Sequence, residues 1–264
     1  MMSCSDTVSY EQNKLKSAAD SNFQKQEYQV AIESYKKLID QGAISDDIYL
    51  NSGISKNMLG DYSHAIMDFD KAIEINPKND EAYGRRGYAK EHLNQFNDAI
   101  NDYSISLQLN RFSAKEYNNR GLLYHKLEKN DSALADLDKA IQLDDNLYVA
   151  YCNRGLVKDA QEKYAEAIKD YDVAIQLNAI DFMYFNRAIS KMNLKDDAGG
   201  LADLDKAIRL NPGNSEYYLN RAYAKYNLKD FDGACGDWQK AGEMGNEQAI
   251  EYFNKVCVNQ PRSI

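Results

Sequence analysis

The sequence YNNRG at residues 117–121, continued by Ala133, Leu137 and Ala140, decides the fold because the chain repeats its pattern. An aromatic residue is followed four positions later by a small residue, twelve further on by another small residue, and then by a large apolar residue and an alanine. The pattern recurs about every 34 residues, a period typical of solenoids built from helix pairs. The sequence therefore predicts an all-α fold made of repeated helix pairs.

The composition limits the classes of partner that the chain can serve. The net charge of -9 argues against nucleic acid, because binding to the phosphate backbone draws its affinity from lysine and arginine. No run approaches the roughly 18 apolar residues that a membrane span needs. The histidines and cysteines are scattered and there is no glycine-rich phosphate loop. We expect no metal, no cofactor, no small-molecule substrate and no catalytic activity.

Seven consecutive frames account for most of the chain, and only the fifth is one residue short. They are residues 12–45, 46–79, 80–113, 114–147, 148–180, 181–214 and 215–248. Within each frame, apolar and small residues at positions 4, 7, 8 and 11 fit one face of a first helix, and those at positions 20, 24, 27 and 28 fit a second. Small residues at positions 8 and 20 predict that the two helices cross closely.

This pattern resembles that of the tetratricopeptide repeat family, and the resemblance covers nearly the whole chain. The second frame matches the family pattern most fully, with Tyr49, Gly53, Ala65, Phe69, Ala72 and Pro77. Departures are local: Arg111 and Asp145 replace the closing proline, and Asn130 and Asp197 replace an aromatic residue. The resemblance implies a right-handed α-solenoid of seven repeats. It also implies an amphipathic capping helix at about 246–258, as in many bacterial members, followed by a tail at 259–264.

The N-terminal segment 1–11 has no helical period and is interpreted as a disordered leader. An alternative is that Cys4 is the lipid-bearing residue of a bacterial lipoprotein, which would be anchored in the envelope. The apolar stretch of such a signal is missing from the sequence, so the criterion for a signal peptide is not met. A lipid at this cysteine is the one membrane attachment that the sequence suggests, and the compartment stays undecided.

Charged residues form columns along the repeats, with arginine at position 7, lysine at position 11 and aspartate at position 23. One interpretation is an ion-lined channel that binds a ligand. The other is that the cations lay their aliphatic stems on the core and pair with the aspartates between helices. The matched numbers of opposite charges favour the pairing.

Position 6, where the first frame has Ser17, carries a column of asparagines broken by one arginine: Asn51, Arg85, Asn119, Asn153, Asn186 and Asn220. In the family, this position lies on the inner, concave wall, and the column is similar to an asparagine ladder in a superhelical member. A carboxamide offers both donors and an acceptor, so it can pair with the backbone of an extended peptide. The alternative is that asparagine is simply tolerated on a solvent-exposed helix face.

Apolar residues accompany this column, most of them at position 9: Ile54, Tyr88, Leu122, Leu156, Ile189 and Tyr223, joined by Phe185, Met192 and Tyr226. They serve either as an interaction surface or as packing between repeats. The sequence thus predicts a non-catalytic module that binds a protein or peptide segment in a groove. The alternative is a structural scaffold, or a self-associating envelope lipoprotein, that uses its convex face or its ends.

Two smaller questions remain at the level of sequence. A clamp for C-terminal carboxylates, known in chaperone-binding members, would use Lys16, Asn51 and Arg85, but Asp20 and Glu81 would repel an acidic tail.

Cys235 and Cys257 fall on consecutive predicted helices. They could form a disulfide bond in an oxidising compartment, although free buried thiols are the favoured interpretation.

Overall fold

The computed structural model describes residues 4–258, and side chains are described from residue 10 onward. Over this range the chain is helical, with short turns and without a strand. The helices are α1 (Cys4–Gln24), α2 (Tyr28–Asp40), α3 (Asp46–Met58), α4 (Tyr62–Ile75), α5 (Asp80–His92), α6 (Phe96–Leu109), α7 (Ala114–Lys126), α8 (Asn130–Leu143), α9 (Tyr148–Ala160), α10 (Tyr164–Leu177), α11 (Asp181–Asn193), α12 (Asp197–Leu210), α13 (Ser215–Asn227), α14 (Phe231–Glu243) and α15 (Glu247–Tyr252). A π-helical segment, Phe253–Val258, continues α15.

The chain is an all-α helical-repeat solenoid, which confirms the predicted fold class. It divides into two compact units, one ending at Lys129 and the other beginning at Asn130. In the first unit α1 packs on α2, α3 on α4 and α5 on α6; in the second, α9 packs on α10, α11 on α12 and α13 on α14. Helices α3, α5, α7, α9, α11 and α13 each begin at the first residue of a frame. Helix α15 and the π-helical segment occupy the range assigned to the capping helix.

The small residues that recur in the sequence lie where two helices of a pair meet. A Cβ atom added to Gly53 would lie 2.6 Å from Cε1 of Phe69, and one added to Gly155 would lie 2.7 Å from Cε1 of Tyr171. The alanines at position 20, such as Ala65 and Ala167, have no exposed surface. Close packing against the aromatic ring at position 24 therefore explains why glycine is found inside these helices.

The turn between the two helices of a pair has a left-handed residue at position 15. Only the second repeat has glycine there, Gly60, with a φ of 79°. The others have φ between 58° and 67° at Gln26, Asn94, Glu128, Glu162, Lys195 and Lys229. A backbone bond closes the turn, as from the Asp61 amide to the Lys56 carbonyl at 2.9 Å. Such bonds satisfy carbonyls at the end of the first helix.

The N-terminal helix differs from the prediction. Helix α1 begins at Cys4, so it includes residues 4–11, which the sequence analysis assigned to a disordered leader. The segment 4–24 contains no glycine or proline, and nothing in its backbone chemistry stops the helix from extending beyond the repeat frame. Residues 1–3 and the predicted tail 259–264 lie outside the described residues, as does the side chain of Cys4, the tentative lipidation site.

The C-terminal end of the second unit is fastened covalently. Cys235 in α14 and Cys257 in the π-helical segment form a disulfide bond, with their Cα atoms 5.9 Å apart. The favoured interpretation of both as free thiols is therefore wrong; sequence alone could not show that the last helical segment folds back onto α14. The Trp238 ring also stacks on Tyr252, with ring centroids 5.7 Å apart. The terminal segment covers the last apolar face of the repeats, as solenoid ends require.

Candidate functional site

The charged columns are paired within the protein. In the second unit, Arg187 donates two hydrogen bonds to Asp203, at 2.8 and 2.6 Å, and Lys191 donates a third at 2.8 Å. Asp203 is only 4% exposed. The same arrangement joins Arg86 and Lys90 to Asp102, Arg154 and Lys158 to Asp170, and Arg221 and Lys225 to Asp237. The predicted pairing between helices is confirmed at these positions.

A further carboxylate, at position 25 of the preceding repeat, completes this network and escaped the sequence analysis. Arg187 also donates to Asp172, at 2.6 Å. Equivalent bonds join Arg86 to Asp70, Arg154 to Asp138 and Arg221 to Asp205. The sequence contained a signal for this link, because the two partners are missing together at one place. The second repeat has Ser52 instead of the position-7 arginine, and the repeat before it has Lys36 instead of the position-25 aspartate.

In the first unit, the residues at position 6 are half-buried on first helices. The amide of Asn51 lies 3.5 Å from Asp20, which also accepts the Tyr35 hydroxyl at 2.7 Å. Arg85 donates to Glu81, one turn earlier, at 2.9 and 3.2 Å. Burial raises the pKa of Tyr103 well above its usual range, and a hydrogen bond with Asn119 opposes the rise. These two asparagines thus already contact side chains of the preceding repeat.

In the second unit, Asn153, Asn186 and Asn220 are also half-buried. Burial raises the pKa of the Cys152 thiol to about 12, and a hydrogen bond with Asn186 opposes the rise. Asn220 donates to the Glu216 carbonyl of its own helix at 2.8 Å. Because one amide group offers two donor hydrogens and an acceptor oxygen, a single such bond leaves Asn220 with pairing capacity.

The apolar residues beside the column take part in packing between helices to different degrees. In the second unit, Phe185 contacts Tyr217, and Tyr223 packs edge-on against Trp238. Leu156 and Met192 lie against buried clusters. In the first unit Ile54 is only 8% exposed. Tyr88 and Tyr226 keep 37% of their surface exposed, and Leu122 and Ile189 are half-buried.

A cavity of about 150 Å³ lies in the first unit, beside position 6 of two repeats. Ile54, Met58 and Tyr88 supply apolar wall, and Asn57 and Glu116 supply oxygen atoms. Burial raises the pKa of the Glu116 carboxyl. Asn57 and Glu116 escaped the sequence analysis because neither belongs to a repeated column. Asparagine is found at position 12 in the second frame alone.

The structure gives little support to the other kinds of site considered from the sequence, a carboxylate clamp and a metal or histidine site. Lys16 pairs with Asp20 at 3.0 Å and with Asp47 at 2.6 Å, so this cation of the carboxylate clamp is already neutralised. His92 packs against Tyr88 with the two rings tilted and their centroids 4.2 Å apart. Among the side chains that the structure describes, from residue 10 to residue 258, no group of three or more histidine, cysteine, aspartate or glutamate residues could hold a metal ion. No helix in this range is long and apolar enough to cross a membrane.

Comparisons with known proteins agree with this architecture. Models of the tetratricopeptide repeat match residues 47–79, 69–101, 114–147 and 148–181. A tetratricopeptide repeat protein from Parabacteroides merdae is similar over 94% of this chain and 99% of its own, with 22% identity and a TM-score of 0.69. PilF from Pseudomonas aeruginosa is similar over 80% of this chain and 96% of its own, with 19% identity and a TM-score of 0.72.

A third similar structure is YrrB, described as a tetratricopeptide protein with an unusual peptide-binding site. It is similar over 74% of this chain and 99% of its own, with 20% identity and a TM-score of 0.59. No curated protein sequence matches the chain. The matching repeat models and the helix pairs together identify the chain as a tetratricopeptide repeat protein. Its fold is that of a scaffold for protein–protein interaction.

Proposed function

We propose that the chain is a non-catalytic module that binds an extended segment of a protein partner along its first helices. The observation that carries the proposal is the position-6 column, in which five of the seven repeats have asparagine. All five asparagines are half-buried and keep part of their surface exposed. A carboxamide that reaches solvent can pair with the N–H or C=O groups of an extended backbone whatever side chains that backbone carries.

The strength of such binding is limited. A net hydrogen bond is worth about 0.5–1.5 kcal/mol, whereas association costs an estimated 4–15 kcal/mol. The column therefore needs apolar anchors, and among the apolar residues predicted beside it Tyr88 and Tyr226 have the largest exposed fraction. We infer a modest affinity, broad tolerance of partner sequence and a preference for extended segments with spaced apolar side chains.

The test is partner binding by the double variant Asn153→Ala/Asn186→Ala. Because each substitution removes a hydrogen bond worth about 0.5–1.5 kcal/mol, affinity should fall about fivefold to 150-fold. The matched control is Asn178→Ala/Asn193→Ala, which makes the same chemical change at two exposed asparagines outside the column. Circular dichroism of both variants checks the fold. Equal affinity in two folded double variants would refute the groove mechanism.

A second candidate, a scaffold held in an extracytoplasmic compartment, is favoured by the bond between Cys235 and Cys257. Structural disulfides persist in oxidising environments such as the bacterial periplasm. We propose that the native protein resides in such a compartment, with Cys4 as its lipid anchor if an apolar signal precedes it in the gene. Thiol trapping in intact cells tests the first part, and mass spectrometry of the native N-terminus tests the second. Reduced thiols in freshly trapped cells would contradict the compartment.

A further inference from the structure

The cavity in the first unit combines an apolar wall with two oxygen-bearing side chains, Asn57 and Glu116, and the Asn57 oxygen has no hydrogen-bond donor among the described residues. Ile54 and Met58 of α3 line it, together with Tyr88 of α5. Met58 is 57% exposed, so the cavity opens to solvent beside its thioether. A wall of this kind suits an aliphatic stem, and its acceptors suit a donor at the end of that stem.

The first acceptor is the carboxyl group of Glu116 in α7. Its Oε1 atom lies where a Cβ at Gly84 would come within 3.0 Å, so the absence of a side chain there makes room for it. Among the described residues no lysine or arginine forms an ion pair with Glu116, whereas Asp68, Asp102 and Asp170 of the charged columns each have two cations or a cation and a hydroxyl. A half-buried carboxylate without an ion pair favours the approach of a cation.

The second acceptor is the side-chain carbonyl of Asn57, a residue only 6% exposed. Its amide nitrogen donates to the Arg85 carbonyl at 3.2 Å. That bond fixes the orientation of the amide, because a flipped group would set two carbonyl oxygens against each other. The Oδ1 atom accepts no hydrogen bond from the described residues. Buried acceptors rarely lack a hydrogen-bond donor, and each exception needs an explanation.

Three charged side chains line the cavity: Arg85, Lys115 and Glu116. Arg85 is held by Glu81 at 2.9 Å. Lys115 is exposed; its charge and that of Arg85 act to lower the pKa of the Glu116 carboxyl, whereas Asp80 acts to raise it. The chain as a whole carries a net charge of -9, which favours encounter with a cationic segment.

We infer that this cavity receives a lysine side chain of the partner segment. The lysine stem lies against Ile54 and Met58, and its ammonium donates to the Glu116 carboxylate and to Oδ1 of Asn57. A cavity of about 150 Å³ holds roughly six non-hydrogen atoms, the size of benzene. That volume suits the unbranched lysine better than the longer arginine. The inference rests on the proposed binding of an extended segment and names one side chain that the segment would carry.

The test is NMR titration of the full chain, labelled at its methionine methyl groups, with Nα-acetyl-lysine-N-methylamide as the probe. The matched probe is the norleucine analogue, which has nearly the same stem without the ammonium. Met58 lines the cavity, whereas Met67, 63% exposed on α4, does not and serves as an internal control. We expect a saturable shift of the Met58 signal with the lysine probe, and apparent affinity about tenfold or more weaker with norleucine.

Two variants complete the test. Glu116→Gln should lower the apparent affinity for the lysine probe about tenfold or more. Glu74→Gln, at an exposed glutamate of α4, should leave this affinity unchanged. Equal binding of both probes, equal binding by Glu116→Gln, or no Met58 shift would each overturn the inference. Asn153→Ala/Asn186→Ala should bind the lysine probe normally. If this variant also binds the partner normally while the lysine probe behaves as expected, the proposed backbone mechanism fails and the lysine site stands.

Discussion

At the scale of single residues, two neighbouring arginines show how repeat position sets a role. Arg86 occupies position 7, where it donates to the fully buried Asp102 and to Asp70 of the preceding repeat. Arg85 occupies position 6 and pairs with Glu81 one turn away, at the surface. The same side chain therefore joins neighbouring helices at one position and forms only a surface ion pair at the next.

This contrast gives a stability prediction with a matched control. Arg86→Met keeps an unbranched stem but leaves Asp102 with Lys90 as its remaining cation. Removing a charged donor from a buried acceptor costs about 1–3 kcal/mol. Arg85→Met removes an exposed pair worth about 0.3–0.5 kcal/mol. Urea denaturation should therefore show a clearly lower midpoint for Arg86→Met, and equal midpoints would contradict a structural role for the charged columns.

At the scale of helices, the glycines inside them differ in what surrounds them. Gly155→Ala would place Cβ 2.7 Å from the Tyr171 ring, and such overpacking costs about 1–3 kcal/mol. Gly236, also inside a helix, has no atom within 4 Å of an added Cβ, so Gly236→Ala should gain about 0.8–1.0 kcal/mol from helix propensity. We expect the two substitutions to shift the melting temperature in opposite directions. A higher melting temperature for both would show that the helix pair tolerates a wider separation.

The helix-pair architecture could be predicted from the sequence because the features that determine it recur. Small residues, aromatic residues and paired charges return at fixed positions, and each copy supports the others. Features found once gave no such signal. Asn57 beside the cavity and the bond between Cys235 and Cys257 depend on which side chains meet across helices. The left-handed turn residue was also hidden, because Gly60 is the single glycine among otherwise ordinary side chains at that position.

Removal of the C-terminal disulfide bond is expected to make the last helical segment open more readily. The disulfide joins cysteines 22 residues apart, and closing a loop of this size is worth about 3 kcal/mol on entropic grounds. In Cys257→Ser, residues 247–258 should exchange amide hydrogens faster and be cleaved earlier by protease. The unaltered protein treated with a reducing agent should behave in the same way. Unchanged protection in both samples would show that Trp238 and Tyr252 hold the segment without the disulfide.

At the scale of the whole molecule, contacts are local in sequence. Within each unit, the described helices contact helices one or two places away along the chain. The stability of a repeat array is approximately a sum of terms from single repeats and from the interfaces between neighbours. Destabilisation at one end should therefore open that end first, and a single global free energy of unfolding is a poor description of such a chain.

The one tryptophan of the chain makes this testable, since Trp238 is buried in the last repeat. Its fluorescence reports on that end, whereas circular dichroism reports on all helices. Cys257→Ser should lower the thermal transition seen by fluorescence more than the transition seen by circular dichroism. Gly53→Ala, which crowds Phe69 in the first unit, should lower the circular dichroism transition and leave the fluorescence transition nearly unchanged. If both probes moved together in both variants, unfolding would be cooperative along the chain, and local terms would not describe its stability.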